Sequence, residues 1–313
     1  MKITALILSF FTFVSSLLWG AAYPEYSKIS EKAADIPGLK TDFVPQGSTY
    51  LADEDSFICC GYMENGDPSR LYVMKDGAEK LVILSRQDGS KYAGHAGGVT
   101  AAGEFIYVSN AEKLFVLKKD DVVSAKDGDT VPFIGSVPVP CRASFCSCDG
   151  ETVYVGEYHA KDYETDDSHI LKTPDGGEYS ALVFGYAVNP DSQFGINSEK
   201  PTVAYSVCDK VQGFAATDDG RAVLSVSGGV MSSKLKIYKT GGEPDGEFEI
   251  EGEKIPLIYL DSGRAEKEIT IPRMSEDLEF CKGKILVAYE AAAKKFISGI
   301  LPFSEKRMML VTV

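Results

Sequence analysis

Tryptophan and positive charge are what this sequence has least of. Its 313 residues hold one Trp, Trp19, and 32 Lys plus Arg stand against 46 Asp plus Glu, a formal charge of −14 at pH 7. A chain so short of basic side chains does not build the positive face that nucleic-acid phosphates require. It also lacks the polybasic patch that docks on anionic lipid. After residue 22 no apolar run is long enough to span a bilayer. Familiar catalytic signatures are missing as well. Ser225-Val226-Ser227-Gly228-Gly229 lacks the leading glycine of a Gly-x-Ser-x-Gly elbow, and no P-loop, Gly-x-Gly-x-x-Gly or His-Glu-x-x-His occurs. What is present is 44% hydrophobic and 11% aromatic residues, enough for a sizeable core.

The first 22 residues stand apart. Met1 and Lys2 give a short basic start, Ile3 to Trp19 is almost wholly apolar, and Gly20-Ala21-Ala22 supplies small residues before Tyr23. This reads as a secretory signal cleaved after Ala22, which places the protein outside the cytoplasm. The rival reading is an uncleaved anchor, because the apolar run approaches the length of a span. Cleavage would leave 291 residues, a charge of −15 and no tryptophan. Seven cysteines follow: Cys59, Cys60, Cys141, Cys146, Cys148, Cys208 and Cys281. An odd number in an exported chain leaves at least one thiol outside any intrachain disulfide. Most lie in β-like apolar runs, as small buried residues of a sheet do.

Five segments repeat one pattern: a short inner run, a Gly or Asp turn, then two apolar β runs. The inner runs start at Gln46, Ala96, Ala143, Gln212 and Glu276, separated by 50, 47, 69 and 64 residues. Turns follow at Asp53-Glu54-Asp55, Ala102-Gly103, Asp149-Gly150, Asp219-Gly220 and Lys282-Gly283. Alternating apolar residues and β-branched content mark antiparallel strands. A period near 40–50 residues with about four strands is the signature of β-propeller blades. We therefore expect an all-β propeller of four-stranded antiparallel blades. Five blades are counted, or six if the N-terminal region or the insertion at 241–263 builds another. The other insertion, 159–177, is polar. Residues 23–40 form a lead-in and 41–313 a single domain. Lys295-Phe296-Ile297 reads as the third run of the last blade, and Arg307 to Val313 as its outer strand.

Four motifs carry a resemblance: Pro45-Gln46-Gly47, His95-Ala96-Gly97-Gly98, Met274-Ser275-Glu276 and Glu290-Ala291-Ala292. On these the chain resembles a family of secreted bacterial β-propeller proteins of unassigned activity, with Ala291 in place of that family's Ser. The likeness covers nearly all of the chain after the signal and implies fold and export, not activity. More distantly the chain is similar to lactonase-type and quinoprotein-type propellers, without a motif of either.

In a blade, the start of strand one and the end of strand two lie at the same end of the axis. Gln46, His95, Arg142, Gln212 and Glu276 at the starts, with Tyr62, Asn110, Glu157, Ser227 and Glu290 at the ends, should ring one mouth of the channel. Convergent polar groups above a packed core favour a ligand site. They equally suit a water-filled channel whose Gln and Asn cap neighbouring blades, with Arg142 neutralising Glu157 or Glu276. Cys141 and Cys208 precede adjacent blade starts and form the disulfide candidate. The leading expectation is recognition of a small molecule or glycan at this mouth by a monomer. One alternative is a Ca2+-assisted lactone, ester or glycoside hydrolase using Glu157, Glu276, Glu290 or His95 as acid, base or ligand. Another is a protein-interaction scaffold built on the insertions. His159 and His169 flank the acidic run Asp162 to Asp167, which reads as a solvated loop or a weak metal site.

Overall fold

The computed structural model describes residues 19–296 and 304–313. Most of the signal segment and Ile297 lie outside the described residues. The chain forms a five-bladed β-propeller. Blade one comprises Phe43–Leu51, Ser56–Met63, Arg70–Lys75 and Ala78–Ser85, with Asp129–Pro132 added in parallel on its outer edge. Blade two comprises Gly98–Ala102, Phe105–Asn110, Lys113–Lys118 and Gly135–Pro138. Blade three comprises Ala143–Cys148, Thr152–Glu157, Ala181–Ala187 and Val203–Val207. Blade four comprises Val211–Ala216, Arg221–Val226, Ser233–Lys239 and Ala265–Ile271. Each follows the expected inner-to-outer order, because tight Gly and Asp turns permit only antiparallel neighbours.

Blade five corrects the expectation at the C-terminus. Its inner strands are Ser275–Cys281 and Lys284–Tyr289, and Arg307–Val311 is the third strand, not the outermost. The outermost is Ser30–Asp35, paired antiparallel from Ser30 opposite Val311 to Asp35 opposite Arg307. Ser30–Asp35 and Arg307–Val311 thus clasp the ring, the first covering the otherwise open edge of the second. The clasp is anchored by Tyr26 in a short helix, Tyr26–Ile29, whose hydroxyl accepts a hydrogen bond from Tyr289 at 3.0 Å in a buried setting. Lys295-Phe296 falls in a turn rather than a strand.

The insertion at 241–263 forms the expected hairpin, Gly246–Ile250 with Glu253–Tyr259. It extends blade three in parallel beyond Val203–Val207 and builds no sixth blade. Four apolar clusters fill the spaces between neighbouring blades. One joins Phe105, Tyr107 and Val116 of blade two to Val153, Val155 and Phe184 of blade three. Strand alternation sends Phe145, Tyr154 and Val183 to the opposite face, where they meet Phe214 and Leu224 of blade four. The same alternation rules out the disulfide: Cys141 packs on the first face of blade three and Cys208 on the other, and all seven thiols are free. Among the described residues no helix is long and apolar enough to cross a membrane.

Candidate functional site

Four of the five inner strands are bulged near their starts. Register slips fall between Pro45 and Gly47, Ala143 and Phe145, Val211 and Gly213, and Ser275 and Leu278. A bulge leaves one residue unpaired and re-aims its side chain. Here the unpaired residues are Gln46, Ser144, Gln212 and the pair Glu276-Asp277. Blade two has no bulge, but Ala96 just before its inner strand has φ 51°, and Met274 (φ 54°) precedes the bulge of blade five. These are left-handed conformations that non-glycine residues rarely adopt.

Gln46, Ser144, Gln212 and Glu276 all project into a cavity of about 620 Å3 at this end of the ring. That volume is in the range of small-molecule pockets. Of the ten side chains expected at the mouth, nine line it: Gln46, Tyr62, His95, Asn110, Arg142, Gln212, Ser227, Glu276 and Glu290. Every blade contributes.

Glu157 does not. Ala143 pairs with Glu157 as Ser275 pairs with Tyr289, so the position equivalent to Glu290 is Tyr158, one residue later. A one-residue offset turns a side chain to the other face of a strand. Glu157 is buried there, with His169 Nδ1 2.7 Å from its Oε1 and the Leu182 amide donating to the same oxygen at 3.0 Å. Tyr158 takes its place in the cavity wall. The structure also adds Tyr163, Lys295 and Phe296 to that wall. Tyr163, Lys295 and Phe296 come from loops, where strand period gives no signal.

The cavity has a closed floor. At Gly47 an added Cβ would lie 2.7 Å from Gly98 Cα and 2.8 Å from Asp277 Oδ2, and at Gly98 it would lie 2.5 Å from the Cys146 nitrogen. The backbones of three blades meet here only because side chains are absent. Asp277 fills the remaining space on the axis, accepting from the amides of Val99 (3.1 Å) and Leu278 (3.1 Å). Below it Glu279 accepts from Thr49 Oγ1 (2.9 Å), Thr100 Oγ1 (3.0 Å) and the Cys148 amide (3.2 Å). These two carboxyls tie blade five to blades one, two and three. Burial, far from any cation, pushes Asp277 well above the usual carboxylate range and Glu279 up to about 8.

On the floor Glu276 and Glu290 are neighbours whose buried carboxyls perturb one another, which favours a proton held by the pair. Gln46 Nε2 donates to Glu290 Oε2 at 3.0 Å, and Gln212 Nε2 to Glu276 Oε1 at 3.4 Å. Burial and then the neighbouring Glu290 charge hold Glu276 well above its ordinary value, so it keeps the proton. Burial raises Glu290 to about 7, moderated by Gln46, Glu276 and Lys295.

Around the rim His95 stacks on Tyr62, with ring centroids 4.7 Å apart and planes at 29°. Its backbone amide donates to Asn110 Oδ1 at 2.9 Å. Desolvation and then Lys295 hold the His95 imidazole below the usual histidine range, hence neutral. Lys295 Nζ donates to the Tyr62 hydroxyl (2.7 Å) and pairs with Glu64 (3.0 Å). Tyr158 meets Tyr163 edge-on at 5.6 Å, and Tyr163 is 58% exposed. Arg142 pairs with neither Glu157 nor Glu276; among the described residues its guanidinium donates to the Glu164 carbonyl alone, at 3.4 Å. Among the described residues no group of three or more His, Cys, Asp or Glu side chains is set to hold a metal ion. His159 and His169 are instead matched singly with Asp209 and Glu157.

No protein-family model matches the chain, and no curated protein matches it. Among solved structures it is similar to hydrazine synthase of Kuenenia stuttgartiensis at 14% identity and TM-score 0.36, covering 81% of this chain and 56% of that one. It thus spans little more than half of that protein's length. It is also similar to the PQQ-bound aldose sugar dehydrogenase of Streptomyces coelicolor (12%, TM-score 0.46, 90% and 97%). A third is a putative 6-phosphogluconolactonase of Bacteroides uniformis (12%, TM-score 0.36, 77% and 62%). The second and third are of the quinoprotein and lactonase types to which the sequence showed a distant likeness.

Proposed function

We propose that this is an exported binding protein that takes a small polar molecule or a glycan into the mouth of the propeller. The observation that carries this is the floored cavity, lined by polar side chains from all five blades, four of which aim them inward through a bulge of the inner strand. A channel that merely filled with water would not need re-aimed residues in successive blades. The rings of Tyr62, His95, Tyr158 and Tyr163 supply apolar faces at the rim. Gln46, Gln212 and the carboxyl pair supply directional hydrogen bonds below, the usual division of labour in ligand pockets.

Acid–base chemistry is the second reading, and the Glu276–Glu290 pair favours it: one carboxyl keeps its proton beside another that titrates near neutrality. The Ca2+ form of that reading finds no ligand set among the described residues.

A thermal-shift screen of metabolites and glycans tests the binding reading. At least one compound should raise the melting temperature of the wild-type chain, and His95→Ala should reduce that shift. If no compound shifts the wild type, or the shift is unchanged in the variant, the mouth is not the site. Turnover of an ester or lactone that is lost in Glu290→Gln would favour the catalytic reading.

A further inference from the structure

The floor and the rim of the mouth carry opposite charges that do not meet. Glu276 and Glu290 are neighbours on the floor, each held by a glutamine N–H. The floor is therefore rich in acceptors, and two neighbouring buried carboxyls favour a positive charge between them, a proton or a cation. Across the cavity Arg142 has an exposed guanidinium. No carboxylate lies within ion-pair distance of it among the described residues. Lys295, by contrast, is committed to Tyr62 and Glu64.

We propose that the mouth takes a small amino-acid-like zwitterion: its ammonium enters between Glu276 and Glu290 in place of their proton, and its anionic group pairs with Arg142. This deepens, and rests on, the reading of the mouth as a small-molecule site. An ammonium supplies three donors to the acceptor-rich floor, and a guanidinium fork matches a carboxylate in two parallel bonds. The rim rings present faces that attract a passing cation. The charged and titratable groups facing the pair are Asp277 and Lys295 from blade five, Tyr62 from blade one, His95 from blade two, and Tyr158, Tyr163 and Arg142 from blade three and its insertion. Blade four offers only uncharged Gln212 and Ser227. Entry of the ammonium releases the shared proton to solvent.

The test is calorimetric titration of the full chain with α- and ω-amino acids, with the N-acetyl and C-amide forms of each binder, and with neutral mono- and disaccharides. Free zwitterions should bind, with either block weakening binding by about tenfold or more. Arg142→Ala, a change at an exposed side chain that leaves the core intact, should abolish the penalty of amidation. Glu290→Gln should abolish the penalty of acetylation. Equal binding of free and blocked forms overturns the proposal. So does binding of neutral sugars with none of amino acids, although that outcome leaves the small-molecule reading standing. Silence across this whole panel rejects the zwitterion, and the small-molecule reading then falls only with the wider screen above.

Discussion

Replacing Glu279 by Gln should change how the fold responds to pH more than it changes the fold. Glu279 is 5% exposed and has no cation beside it; its carboxyl is raised from the ordinary 4.5 to about 8 by burial. The folded state therefore holds a proton that the unfolded chain releases between those values. The sign follows directly: the contribution is fully present below about pH 4.5, declines as pH rises, and is gone above about pH 8. One proton corresponds to ~1.4 kcal/mol per pH unit, so across this window the loss comes to roughly 5 kcal/mol. In Glu279→Gln that slope is absent. The variant carries a fixed cost as well, since its amide NH2 must face hydroxyls and an N–H that donate to the Glu279 carboxyl oxygens. The difference in slope, not the offset, is what counts. Urea denaturation followed by circular dichroism at pH 5, 6, 7 and 8 gives both curves. Stability of the wild type should fall faster than that of the variant by about 1 kcal/mol per pH unit. Parallel curves, or a wild type that gains relative to the variant as pH rises, would refute a protonated Glu279.

Other consequences are independent of this one. Gly98→Ala should destabilise the ring by about 2 kcal/mol or more, measured by denaturation, because its Cβ would collide with backbone at the axis that cannot move aside. Deleting residues up to Asp35 removes the outer strand of blade five and exposes the edge of Arg307–Val311, so the truncated chain should aggregate in size-exclusion chromatography where the full chain does not. Thiol titration should find seven reactive groups in denaturant; under native conditions Cys208, the one thiol that is not fully buried, should react first. Protein recovered after export should show tyrosine but no tryptophan emission, since Trp19 precedes the expected cleavage point.

The blades were legible in the sequence because their determinants are local. Runs such as Phe105-Ile106-Tyr107-Val108 alternate apolar residues between Gly and Asp turns, and those features set strand and hairpin without reference to the rest of the chain. The closing strand was not legible. Ser30-Glu31-Lys32-Ala33-Ala34-Asp35 has no β pattern; it becomes a strand only because Arg307–Val311 offers it an open edge. The mouth was legible for the same reason as the blades, through the antiparallel geometry of strands one and two. Its one error, Glu157 for Tyr158, is an offset of a single residue, and a period of two makes such an offset a change of face. The bulges left no signal in composition, although they decide where Gln46, Ser144 and Gln212 point. Tyr163 and Lys295 reach the cavity from loops whose course depends on tertiary contacts, the Tyr158 ring for one and Glu64 for the other.

Binding at the mouth is tested most directly by a crystal structure of the chain soaked with the compound that gives the largest melting shift. Ordered density is expected on the floor within hydrogen-bond distance of Gln46, Glu276 or Glu290, flanked by Tyr62 and Tyr158. Density for that compound at another place on the ring, with the mouth holding only water, would contradict it.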